Sequence, residues 1–300
     1  MQKTNALALA ALAFTTLIWG VTPVFVRSVS LFLGPTQALI IRLVLTGLIF
    51  AFILALTAGF KIERKDLVKL VLLSLLGMLG YYAGTVFGYA IVPAGIGALI
   101  MSTQPLLIAL LAWGLGTERI GLATVIGLLV SFAGSVLLVW GDSWNSGNTI
   151  DSMFLLGCLM IFLAGTGWCV FVVFSKDLIN RYGALKITGL SNLIIMVPAI
   201  PFFSSETITA LSGMNVNQAL SLTVLILVGA VAAVYTWNYA AGHLRPSQLG
   251  SSLYVIPILA LLAGWAALNE TITQNTLIAA ALIMAGVAIA QFKFNVRQLA

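Results

Sequence analysis

The chain has 300 residues, 61% of them hydrophobic and 7% charged, with a formal net charge of +6 and a mean hydropathy of +1.12. Soluble domains carry roughly a quarter charged residues, so this composition cannot cover a water-facing surface and the expected solvent is the lipid bilayer. The two cysteines, Cys158 and Cys169, share one apolar stretch and suit neither a disulfide framework nor a metal site.

A helix needs about 20 mostly apolar residues to cross the hydrocarbon core. In chain order such runs fall at 6–26, 36–58, 67–91, 95–116, 121–140, 152–174, 185–203, 218–241, 247–268 and 274–292. The expected fold class is therefore an all-α membrane protein with ten transmembrane helices. The first run is long enough to span, so it reads as a helix rather than a cleaved signal. Breaks between runs carry turn residues or charge, among them Gly34-Pro35, Pro93, Pro246 and Glu270. The turns at 93–95 and 244–247 are so short that spans three and four, and spans eight and nine, must be antiparallel hairpins.

With the N-terminus in the cytoplasm, twelve of the fourteen basic residues fall on the cytoplasmic side, and only Arg27 and Arg42 lie toward the other. The positive-inside rule thus places both termini in the cytoplasm. The same count removes nucleic acid as a partner, because the basic charge is consumed by topology.

The segment from Pro105 to Gly134 recurs 152 positions later. Pro105 meets Pro257, Trp113 meets Trp265, Glu118 meets Glu270 and Gly134 meets Gly286, without a gap. At a step of 153, Tyr82 meets Tyr235, Thr85 meets Asn238 and Pro93 meets Pro246; at 149, Trp19 meets Trp168 and Arg27 meets Lys176. The drifting step implies small insertions. The reading is a tandem repeat, with halves at 1–145 and 146–300. Five spans per half is an odd number, so equivalent helices cross in opposite directions. Inverted repeats of this kind bind substrate between the halves and alternate access by exchanging their conformations.

No acid lies deep in a span, and nothing offers a nucleophile–base–acid set, a metal cluster or a phosphate-cradling loop. An enzyme and direct drive by ATP are excluded, and no cofactor is expected. Polar and aromatic residues within the spans are the better guide, since a phenol or amide in hydrocarbon needs a partner. Tyr82, Thr85 and Tyr89 share one face of span three, with Tyr81 beside it; Tyr235, Asn238 and Tyr239 share a face of span eight. Both faces are candidates for lining a cavity, against interhelical hydrogen bonding or an interfacial aromatic belt. Trp19 and Trp168 are stacking candidates, with packing bulk as the alternative, and rank above Trp237. Gly80, Gly84 and Gly88 form a small-residue stripe for close helix packing. Pro105 and Pro257 interrupt matching places in the two halves and read as hinges bordering the binding region, or as static kinks. Gln104, Ser251 and Tyr254 lie within a turn or two of them and could touch substrate.

Four residues are candidates for a coupling or charge role. Arg42 is a cation well inside span two, although its length would let it snorkel outward. His243, the one histidine, sits at the cytoplasmic mouth. Glu118 and Glu270 close their helices and read as end-of-helix ties or gate hydrogen bonds rather than coupling sites.

The hairpin 81–121 carries Tyr89-Ala90, a Pro-ended turn, the mid-span Pro105 and a closing Gly116-x-Glu118. In these features it resembles the EamA domain of the drug/metabolite transporter superfamily, and the second copy departs only in having Leu268-Asn269 where Leu-Gly is usual. The resemblance covers all ten spans, and the aromatic content is similar to that of YddG-type aromatic amino-acid exporters. It implies a multi-pass protein of a bacterial-type inner membrane that exports neutral and aromatic amino acids around an aromatic-lined cavity. It also places Arg42 in a helix usually peripheral to that cavity. The alternatives are a broad exporter of drugs or lipophilic amines, which normally wants a membrane carboxylate, and a passive channel or scaffold.

Overall fold

Gly34 and Pro35 set the first corner of the chain. Helix α1 (Gln2–Leu33) ends at Gly34, whose φ of 77° and ψ of 148° belong to a region open essentially to glycine alone. Pro35, with φ already fixed for a helix and no N–H to leave unpaired, then opens α2 (Pro35–Leu56). The same corner recurs 149 residues on: α7 (Ser152–Tyr182) ends at Gly183, with φ 85° and ψ 151°, and α8 (Ala184–Phe202) follows at once. Two glycines in matching strained conformations, at the step that relates Trp19 to Trp168, extend the repeat through the first two spans of each half.

The computed structural model describes residues 2–57, 59–114, 121–146, 151–241, 243–244, 252–253 and 255–296, almost all of them helical and none in a strand. The remaining helices are α3 (Arg64–Ile91), α4 (Ala94–Met101), α5 (Gln104–Gly114), α6 (Leu122–Ser146), the short α9 (Ser205–Ser212), α10 (216–241), α11 (Val255–Leu268) and α12 (Gln274–Val296). Six described helices are long and apolar enough to cross a membrane, and four shorter apolar segments begin at Ala94, Leu122, Val255 and Gln274.

Two of these helices change pitch at equivalent places. Ser74–Leu79 in α3 and Val224–Ala232 in α10 are π-helical. Ser74 to Val224 is a step of 150, whereas Gly80 to Ala233 is a step of 153. A π turn is how a helix absorbs extra residues without ending. The three-residue part of the drifting register, from 150 to 153, therefore sits inside the longer π segment of α10, just before Tyr235.

The expected break in span four is sharper than a kink. The helix stops at Met101, Ser102 and Thr103 turn back to the carbonyls of Leu99 and Ile100 through their hydroxyls, and α5 starts at Gln104. Pro105 thus occupies the first turn of a new helix, where its missing N–H costs nothing. Pro257, its repeat equivalent, is buried within α11.

The halves meet around a twofold relation visible in single atoms. The Ser131 hydroxyl of α6 donates to the carbonyl of Ile283 on α12, 3.2 Å away; 283 is the repeat equivalent of 131. A side chain on Gly134 would strike Ile283 and Leu282, and one on its equivalent Gly286 would strike Ser131 and Gly127. Residues that touch their own equivalents, reciprocally, are the mark of an isologous contact.

Elsewhere α3 packs on α7 through glycine. Gly77 approaches Phe171 and the Gly167 carbonyl, Gly84 the Met160 carbonyl and Ala164, and Gly88 Ile161 and Gly157. Gly80 does not belong to this stripe, because a Cβ there meets nothing within 4 Å. The π segment rotates the helix between Gly77 and Gly84, and the contact face moves with it.

Candidate functional site

Tyr81 and Tyr82 leave α3 in the turn after its π segment. Their rings meet edge to face with centroids 5.6 Å apart. Trp168 of α7 lies 5.3 Å from Tyr81 and 6.2 Å from Phe171, so the aromatic group extends across both helices. On the other side of Tyr82, the Arg42 guanidinium of α2 sits 4.4 Å above the ring, within cation–π range. The Tyr82 hydroxyl donates to Oδ1 of Asn192 on α8 at 3.2 Å, and Asn192 in turn donates to the Thr188 carbonyl at 2.9 Å. Four helices thus bring one cation, one amide and four large rings into a single group.

Arg42 is 5% exposed, so the outward snorkel that its length would allow is not its conformation. Its helix is not peripheral to this group either.

The rest of the span-three face is packed rather than open. The Thr85 hydroxyl is satisfied by the Tyr81 and Tyr82 carbonyls of its own helix. Tyr89 is buried with Ile161 in the core, its ring lying against Gly97 where a Cβ would collide with it. Gln104 is half-buried at the α4–α5 break beside Gly165 of α7, and its carbonyl accepts from the Cys169 thiol at 3.5 Å.

Across the two halves, Trp19 of α1 faces Trp237 of α10 with centroids 5.1 Å apart. One turn toward the N-terminus, Thr15 bonds the Thr236 hydroxyl at 2.7 Å and the Ala233 carbonyl at 3.2 Å. Trp237, ranked low from sequence, is therefore the residue that reaches Trp19. Tyr235 is 64% exposed, away from this contact. Tyr239 is half-buried with its ring 4.4 Å from that of the exposed His243, whose Nδ1 lies 2.8 Å from the Tyr239 carbonyl. Asn238 is in α10, but its side chain, that of Pro105, and all of Glu118, Ser251 and Tyr254 lie outside the described residues.

Glu270 is tied at the end of α11. Its Oε1 accepts from the Ala94 N–H at 2.7 Å and pairs with Arg27 Nε at 3.0 Å, while Oε2 accepts from Gly95 N–H at 3.4 Å. Arg27 also donates through Nη1 to the carbonyls of Tyr89 and Val92, both at 2.8 Å. The carboxylate thus caps the start of α4 and the guanidinium caps the end of α3, each matched to the partial charge of that helix terminus. One pair locks α1, the α3–α4 hairpin and the α11 end together. A second network joins α3 to α7 at their other ends: Arg181 holds Asp66 in a two-pronged pair at 2.7 and 2.9 Å, Tyr182 donates to Asp66 at 2.7 Å, and Lys69 pairs with Asp177 at 2.7 Å.

Sequence reasoning missed Asn192, Asp66 and the Arg27 partnership. Asn192 carries the signal already used elsewhere, a lone amide inside an apolar run. Arg27 reads from sequence as an outward charge and as the repeat equivalent of Lys176, with nothing to pair it with Glu270.

The EamA-like transporter family matches the chain twice, over residues 6–140 and 155–291. An uncharacterized transporter of Archaeoglobus fulgidus is 24% identical over 278 residues, which is 93% of this chain and 96% of that protein. A protein of Salmonella typhimurium named a probable amino-acid metabolite efflux pump is 25% identical over 216 residues, 69% of this chain and 71% of its own length. A solved crystal structure shares the fold with a TM-score of 0.59 at 22% identity, covering 95% of this chain and 96% of the other.

Proposed function

The chain belongs to the EamA-like transporter family, and on that premise we propose that it is a secondary transporter of aromatic and other neutral amino acids, or of similar small amphipathic metabolites. It is a multi-pass membrane transporter rather than an enzyme. The observation that carries the substrate reading is the aromatic group of Tyr81, Tyr82 and Trp168, set beside a cation, with Tyr82 bonded to an amide rather than to a carboxylate. Rings of this kind stack on an apolar side chain while their polar tips fix its orientation.

The two inverted five-helix halves, 1–145 and 146–300, exchange conformations around this group, with both termini in the cytoplasm and amino acids leaving the cell. In this arrangement the Arg27–Glu270 pair closes the outer end. Lys176 and Glu118 are its repeat counterparts in the sequence. Glu270 then works as a gate, and transport runs down the substrate gradient without proton coupling.

Export of lipophilic amines is the second reading. It wants a free carboxylate near the rings, whereas the two buried acids with described side chains, Asp66 and Glu270, are both paired with arginine. In proteoliposomes, Trp168→Ala and Tyr82→Ala are each expected to slow phenylalanine flux by about tenfold or more, with the protein still monodisperse in detergent. Unchanged flux in both variants removes the aromatic group as the substrate site.

A further inference from the structure

We propose that Arg42 is the carboxylate-binding residue of the transport site, an inference that rests on the amino-acid reading above and names how that substrate is held. Guanidinium stays protonated in proteins, so Arg42 is a permanent cation buried among helices α2, α3 and α8. Its Nε and Nη1 are both fully buried and meet no acceptor. These two nitrogens lie on different edges of the guanidinium fork, so neither edge is satisfied by the protein. On the same face of α2, one turn on, the Thr46 hydroxyl is also buried and unpartnered, as is that of Ser191, next to Asn192 on α8.

No acid among the described residues neutralises Arg42. Asp66 pairs with Arg181, Asp177 with Lys69 and Arg181, Glu63 with Lys65 and Glu270 with Arg27, Asp151 caps the start of α7, and Glu206 is exposed on α9 and makes no ion pair with Arg42. The Tyr82 ring offsets part of the burial cost of the charge. Asn192 cannot supply an acceptor freely, because its Oδ1 already takes the Tyr82 hydroxyl. A buried cation with donors left over on both edges of its fork fits a planar anion from outside the chain. The aromatic group within reach of the same tyrosine sets the rest of the ligand: a carboxylate joined by a short link to an apolar or aromatic side chain. Arg42 fixes the carboxylate, Tyr82 bridges, and Tyr81 with Trp168 receives the side chain.

The test compares three ligands of one shape on purified full-length protein: phenylalanine, its amide, and 3-phenylpropionate, which keeps the carboxylate and lacks the ammonium. Wild type is expected to bind phenylalanine at least about 30-fold more tightly than the amide. Arg42→Gln is expected to lose that preference while retaining the weak affinity for the amide, and Arg42→Lys to recover part of it. A purely structural arginine would instead weaken all three ligands together, and that result overturns the proposal. So does wild-type binding that is indifferent to the carboxylate, a comparison that needs no variant to fold. If phenylalanine and its amide fail to bind but 3-phenylpropionate binds through Arg42, the carboxylate site stands and the amino-acid reading falls. If phenylalanine binds equally to wild type and Arg42→Gln, the amino-acid reading stands and the Arg42 site falls.

Discussion

Glu270→Ala is expected to open the α1–α3–α4 end of the molecule. The substitution leaves Arg27 partly buried without its counter-ion and strips the cap from the first N–H groups of α4. The side chains of Arg27 and Glu270 are only 18% and 8% exposed, so solvent screens the pair weakly. Breaking such a pair costs about 3 kcal/mol, which shifts a two-state equilibrium by roughly 100-fold toward the state that does not make the contact. The readout is labelling of a cysteine placed at Ala98, buried one turn inside α4, by a membrane-impermeant maleimide. Labelling is expected to be slow in the otherwise wild-type protein and fast with Glu270→Ala. The double change Arg27→Gln with Glu270→Gln removes both charges and is expected to label at an intermediate rate, since no unpaired ion remains. Equal labelling in all three proteins would show that the pair holds nothing shut.

The second large effect lies in the α3–α7 seam. A Cβ at Gly84 would sit 2.7 Å from the Met160 carbonyl oxygen and 2.8 Å from Ala164 Cβ. A crowded side chain can rotate away for about 1–3 kcal/mol, but a backbone carbonyl within a helix cannot. Gly84→Leu should therefore push the helices apart, break the Tyr81–Trp168 contact and destroy both stability and transport. Gly80→Ala is the matched control. Nothing lies within 4 Å of the added carbon, and alanine gains about 0.5–1 kcal/mol over glycine inside a helix. Thermal unfolding in detergent should show Gly84→Leu melting far below wild type and Gly80→Ala at or slightly above it.

The contrast between these two glycines shows where the sequence was legible and where it was not. The repeat could be read because Pro, Trp, Glu and Gly do not recur in register by chance in an apolar chain. The isologous contact at Ser131 and Ile283, and the paired corners at Gly34 and Gly183, are its physical consequences. The π segments could not be read. They alter helical phase by a fraction of a turn, without a marker residue, and that change removes Gly80 from the stripe and brings in Gly77.

The polar face of span three was legible as a face but not as an environment. Tyr82 meets Arg42 and Asn192 from helices 40 and 110 positions away, whereas Tyr89, two turns along the same face, meets the bare backbone of Gly97. Periodicity places side chains on one side of a helix, and the neighbouring helix decides whether that side is a site or a core. Arg42 shows the same limit. As an isolated letter it could snorkel; only the packing of α2 against α3 and α8 makes it a buried cation.

The central claim is tested most directly by counterflow with the unaltered protein in proteoliposomes. Vesicles loaded with unlabelled phenylalanine and diluted into labelled phenylalanine are expected to accumulate label transiently and saturably. Other neutral aromatic amino acids should substitute inside the vesicle, and an imposed pH gradient should leave the amplitude unchanged. Counterflow supported by lipophilic amines but by no amino acid would contradict the account.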